Sequence, residues 1–154
     1  SNISIFIVGY IGRLRESNCV GDSYLMSPNF VSDMRCEVEI VVEDDSAGSI
    51  VIRSNQHGTA GYLVCLDYGR RKIGFYRTFH GEAKQLIQER DADIALGQLH
   101  KIKAIAKGKF VEVYLDDVLS MVRADDTYQE GSWGLHASGR GVRFSNIIAE
   151  ECIK

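Results

Sequence analysis

The chain has 154 residues, 45% apolar and 25% charged, with a net charge of −3 at pH 7. That length suits one domain able to bury roughly 68–70% of the surface its unfolded chain exposes, so disulfide or metal staples are not needed. The acidic balance excludes a nucleic-acid or anionic-membrane surface, which needs a basic excess, and no apolar run approaches the ~20 residues of a membrane span.

Ile3–Tyr10 opens the chain as an apolar, β-branched run with no signal peptide ahead of it. It reads as the start of a single domain, residues 1–154, cut from a larger protein. Tyr24–Met26 is a short strand ending at a Pro28-Asn29 turn. Arg35–Val42 alternates, with Cys36, Val38 and Ile40 on one face and Glu37, Glu39 and Val41 on the other. Ser49–Arg53 follows a turn at residues 44–48 and is nearly all apolar, as expected of a strand covered on both sides. Tyr62–Asp67 and Lys72–Thr78 form a hairpin across Tyr68-Gly69-Arg70-Arg71. Lys84–Glu89 is a weaker strand, and Asp91–Gly97 is a loop. Then come His100–Ala106, Phe110–Leu115, Val118–Arg123, Trp133–Ala137 and Val142–Ile147, each bounded by glycine or paired acids.

Eleven or twelve short strands with turns every 8–12 residues, and no sustained 3.6 period, predict an all-β fold. A two-sheet antiparallel β-sandwich or jelly roll is favoured, with a closed barrel as the lesser alternative. Cys19, Cys36, Cys65 and Cys152 show no C-x-x-C pairing, and the four histidines are scattered, so no zinc frame is evident. Cys36 and Cys65 fall inside apolar runs, where a free thiol behaves as a small hydrophobe. No phosphate loop, Gly-x-Ser-x-Gly nucleophile or His-Glu-x-x-His motif is present, so no motif requires a cofactor.

One ordered set of segments is more specific. It runs Gly48-Ser-Ile-Val-Ile-Arg53, Gly61-Tyr-Leu-Val, Lys72-Ile-Gly-Phe-Tyr and His100-Lys-Ile-Lys-Ala-Ile-Ala-Lys-Gly. Val113-Tyr-Leu-Asp-Asp-Val-Leu, Gly131-Ser-Trp-Gly-Leu-His and Val142-Arg-Phe-Ser-Asn-Ile complete it. Over residues 22 to 150 this order resembles the fructan-binding modules of family 66, attached to levanases and other family 32 glycoside hydrolases, within the concanavalin-like lectin/glucanase superfamily. The resemblance implies a non-catalytic carbohydrate-binding module, a terminal fructose as ligand, a linked hydrolase as partner, and an extracellular setting. A cytoplasmic one stays open, since no signal peptide is visible.

Arg53 ends an apolar run and must find a partner or reach a cleft, since a charge buried alone is costly. Glu37, on the preceding strand, is the expected partner. In the resembling family a glutamate and an arginine at these positions suit a terminal fructose, the carboxylate accepting from hydroxyls and the guanidinium donating a fork. The alternative is a cross-strand ion pair with no ligand. Tyr62 and Trp133 could offer flat faces to a sugar ring, although Trp133, between Ser132 and Gly134 in a core-type strand, reads more readily as core. Asp67 and His136 are polar residues at strand positions flanked by apolar ones and add hydroxyl partners. Lectin-like sandwiches often hold one structural Ca²⁺, and Asp22 with Glu150 or Glu151 could supply it if the termini meet. The acid pairs Asp44-Asp45, Asp116-Asp117 and Asp125-Asp126 read as turn caps.

Two competing readings remain open. Glu37 and Glu39 share a strand face at roughly 6.5–7 Å, a separation at which carboxylate pairs hydrolyse glycosidic bonds. A structural accessory sandwich would instead bind nothing. The sequence His136-Ala137-Ser138, where the family often has an aromatic, favours that reading.

Overall fold

The computed structural model describes residues 4–13, 22–139 and 141–152, with side chains from residue 24 onward. Twelve strands and no helix lie among the described residues. One sheet orders β1 (Ser4–Arg13), β12 (Val142–Glu151), β3 (Met34–Val42), β8 (Leu99–Lys107), β9 (Phe110–Leu115) and β10 (Val118–Ala124). The other orders β2 (Asp22–Val31), β11 (Gly131–Ser138), β4 (Ala47–Ser54), β5 (Gly61–Asp67), β6 (Lys72–Thr78) and β7 (Gln85–Asp91). Every pairing is antiparallel, so the expected two-sheet sandwich is the architecture found.

The period-2 pattern sets which face looks inward. On β3, Met34, Cys36, Val38, Ile40 and Val42 are buried and alternate with half-buried residues. Ile102, Ala104 and Ala106 of β8 and Phe144 of β12 join them. The opposing sheet contributes Ile50 and Ile52, Val64 and Leu66, Phe75, and Leu135. Burying one such side chain is worth ~1.5–3 kcal/mol, so this sheet-to-sheet core holds the strands whose ends build the site.

Pro28 does not end its strand as the sequence predicted. β2 runs from Asp22 to Val31 straight through it. The physical reason is position. β2 is an edge strand, and the register with β11 shifts between the pairs Ser132–Phe30 and Gly134–Met26. Proline lacks an N–H to donate, and edge strands and bulges are where that loss is tolerated.

Cys36 and Cys65 are buried free thiols, and Cys152 is free and half-buried. Burial pushes the Cys36 thiol up to about 12, which keeps it inert. Cys19 lies outside the described residues.

Candidate functional site

Arg53 gathers one end of the sandwich. Ser132 pairs with Ser54 while Gly134 pairs with Val51, so Trp133 faces two residues of β4, Ile52 and Arg53. This is a β-bulge, and Arg53 adopts φ 50°, the left-handed region that non-glycine residues rarely occupy. Bulges re-aim a side chain and recur beside functional sites. The neighbouring strands make room for the bulge with glycine: a Cβ on Gly61 would stand 2.6 Å from the Ser54 Cα.

The re-aimed guanidinium bridges the two sheets. Its Nε donates to the Ser32 carbonyl at 3.0 Å, and Nη1 donates to the carbonyls of Gly108 and, at 3.3 Å, Tyr128. Nη2 donates to Asp33 Oδ1 at 3.1 Å. Asp33 Oδ1 also accepts the Gly108 N–H at 3.0 Å. A guanidinium has five N–H donors, and four are used here, leaving one on Nη2. Burial pushes the Arg53 pKa down, and the Asp33 carboxylate opposes that shift.

Arg53 and Asp33 form the floor of a cavity of about 800 Å³, walled by Ser32, Gly108, Tyr128 and Glu130. Lys109, Asp126 and Gln129 complete an exposed rim carrying both signs of charge. The 125–130 wall is pinned from inside the core. The Tyr62 hydroxyl donates to the Asp125 carboxylate and accepts the Tyr128 N–H at 3.2 Å. Arg77 pairs with the same carboxylate, which also accepts the Thr127 N–H at 3.0 Å. The Tyr128 hydroxyl donates to the Thr78 carbonyl at 2.5 Å. A buried donor fork beside exposed carboxylates can bind a polyhydroxylated ring: the fork donates to its oxygens and the carboxylates accept from its hydroxyls.

Of the six ligand candidates, Arg53 alone lines this cavity. The Glu37–Arg53 partnership is corrected: the two residues lie in different sheets, and Arg53 pairs with Asp33 from the turn before β3. Glu37 faces outward and sits 3.5 Å from Lys101, while Glu39 accepts from Asn146 at 2.9 Å. Tyr62 faces inward, fully buried, with its ring 5.3 Å from both Phe75 and Tyr128, so it offers no face to a sugar. Trp133 is part of the core. Asp67 accepts the Arg70 N–H at 3.0 Å and caps the β5–β6 turn, away from the cavity. His136 lies on the outward face of the β11 sheet, in a separate smaller recess. The sequence reading missed Asp33, Tyr128 and Glu130. The polar run Asp125–Glu130 with its single tyrosine was the available signal.

The calcium pair is corrected as well. The Asp22 side chain lies outside the described ones, but its backbone pairs with Ser138, near Ala47. Glu150 pairs with Arg35 at the opposite end of β12 from Val142, and its carboxylate engages Arg35 at 2.5 Å. The two acids therefore do not converge. No cluster of three metal-ligating side chains occurs among the described residues.

No family model matches the chain. The levanase of Bacillus subtilis (strain 168) is 29% identical over 139 residues, which is 88% of this chain and 20% of that protein. The fructan beta-fructosidase of Streptococcus mutans serotype c is 28% identical over 124 residues, covering 77% of this chain and 9% of that one. The solved carbohydrate-binding module CBM66 from Bacillus subtilis superposes with a TM-score of 0.83 at 25% identity, over 97% of this chain and 95% of that one. The likeness to the family 66 carbohydrate-binding modules is borne out. This chain spans a small share of the two enzymes and nearly all of the module, so the family 66 likeness is to the binding part.

Proposed function

We propose that the chain is a non-catalytic module that binds a fructan-type glycan in the Arg53 cavity and holds a linked glycoside hydrolase at its substrate. The observation that carries this is the buried guanidinium, fixed by four acceptors and keeping one N–H, at the floor of a cavity rimmed by carboxylates. The family 66 likeness and the levanase relative support a terminal fructosyl unit as the occupant. A hydroxyl-rich ring satisfies such a site without carrying charge of its own. The gain to a linked enzyme is effective concentration, not bond chemistry, and the setting is extracellular, where fructan polymers occur. Metal ions play no part in this reading.

Calorimetry against a glycan panel, with and without chelator, tests it. Fructose or levan should bind weakly and saturably, chelator should change nothing, and Glu130→Ala should weaken binding about ten-fold. An inert panel would overturn the proposal.

A second reading has one observation behind it. Val118, Leu119 and Val122 on the β10 edge are 68%, 49% and 46% exposed, and Leu86 on β7, an edge strand of the other sheet, is 50% exposed. Apolar edges of this kind suit an accessory sandwich that buttresses a neighbouring domain. The same inert panel would favour that reading.

A further inference from the structure

The outward face of the β11 sheet breaks the alternation that a sandwich normally shows, in which outer residues are polar. Val51, Leu63, Cys65 and Tyr76 form a cluster separate from the main core, yet they are only 0%, 3%, 3% and 6% exposed. Tyr24 and Met26 pack against them. Beside them lies a recess of about 330 Å³, lined by Tyr24, Leu63, Phe79, Glu82, Lys84 and His136. That volume falls within the ~300–1,000 Å³ of small-ligand clefts.

Its chemistry narrows the occupant. Tyr24 and His136 pair across β2 and β11, their ring centroids 4.6 Å apart. The Lys84 ammonium stands 4.4 Å above the Tyr76 ring. Lys84 and Glu82 are exposed and of opposite sign, so the rim offers a donor and an acceptor with no net charge for a polyanion. Aromatic and aliphatic surface below, with balanced polar groups at the rim, matches a neutral sugar ring, which has an apolar C–H face and a hydroxyl edge.

The recess adjoins the Arg53 cavity. Phe79 lines the recess, and its ring centroid is 5.9 Å from that of Tyr128, which lines the cavity. Thr78, also in the recess, accepts the Tyr128 hydroxyl. We propose that the recess is a second subsite that holds an inner sugar unit of the glycan whose terminal residue enters the Arg53 cavity. This rests on the cavity reading above. It makes the module sensitive to chain length, because an oligosaccharide engages both recesses and a monosaccharide only one.

The test is the affinity for fructose and for a short levan oligosaccharide, measured by calorimetry on the wild type and on Lys84→Ala, Tyr24→Ala and Glu130→Ala, each checked for an unchanged melt. The wild type should bind the oligosaccharide at least about ten-fold more tightly than fructose. Lys84→Ala and Tyr24→Ala should each cut that gain while leaving fructose affinity intact. Lys84 is exposed, so its variant stays informative if Tyr24→Ala fails to fold. Equal affinity for the two ligands in the wild type, or a gain that survives both variants, overturns the subsite. Fructose binding that is absent, or indifferent to Glu130→Ala, overturns the cavity reading instead.

Discussion

Arg53 and Asp33 form a buried ion pair, Nη2 to Oδ1 at 3.1 Å, with side chains 1% and 7% exposed. Removing one partner of such a pair strands the other charge away from water. Arg53→Ala should therefore cost about 3–5 kcal/mol of stability, measured by chemical denaturation. It also frees the Ser32, Gly108 and Tyr128 carbonyls from their common donor. A variant as stable as the wild type would show the pair to be dispensable. Exposed rim residues such as Glu130 are the cleaner probes of binding.

Tyr62 positions the cavity wall without touching the cavity. Tyr62→Phe deletes the hydroxyl that ties Asp125 and the Tyr128 N–H to the core. Stability should fall by about 1–3 kcal/mol, the cost of a buried polar group left unmatched. Glycan affinity should fall too, because Tyr128 loses one of its tethers. Conservative loss of one oxygen with unchanged binding would remove Tyr62 from the account of the site.

The same network gives a pH signature on both sides of neutrality. Burial pushes the Asp125 carboxyl up, but hydrogen bonds from Tyr62 and Thr127 and the Arg77 charge hold it below its usual 3.8. A carboxyl depressed in the folded state contributes stability that is full above the unfolded value and lost as the pH falls through the folded one. The Asp125 contribution should thus begin to fall below about pH 4 and be lost as the pH drops through the lower folded value. Tyr62 runs the other way. Burial, and then its hydrogen bond to Asp125, push it from 10.0 to about 12. Its contribution is full below pH 10 and is lost as the pH rises toward 12. Between those values the wild-type melting temperature should fall more steeply than that of Tyr62→Phe. Parallel curves would contradict the assignment.

Glu37 and Glu39 stand outside the Arg53 cavity, each held by a neighbour. Their partners are Lys101 and Asn146, on the neighbouring strands β8 and β12 of the same sheet. Glu37→Gln and Glu39→Gln should leave glycan affinity unchanged, and the half-buried Glu37–Lys101 pair at 3.5 Å should be worth about 1 kcal/mol. Sugar release from levan that vanished in Glu37→Gln would reverse this conclusion and make the chain an enzyme.

The strands were legible because alternation is local. Met34–Val42 spells its inward and outward faces residue by residue, and glycines and acid pairs mark its neighbours' ends. The site was legible in part. A charge ending an apolar run announced Arg53, but its partner depended on which sheet each strand joins, and that is not local information. Glu37 looked adjacent along the chain, while Asp33 sits in the turn before β3 and reaches Arg53 across the sandwich end. Tyr62 misled for a similar reason. Its loop-side position suggested exposure, whereas strand alternation turns it inward to hold residues 125–128. Pro28 misled because its cost depends on being at an edge, and edges are set only when the sheet is complete.

The Arg53 cavity is the proposed sugar site. Amide chemical-shift mapping of the wild type during a fructose titration tests it most directly. Saturable shifts should be confined to Asp33, Arg53, Gly108 and the 126–130 wall, and be lost or weakened in Glu130→Ala. Saturable shifts centred on Glu37, Glu39 and Lys101, or no saturable shifts at all, would overturn that assignment.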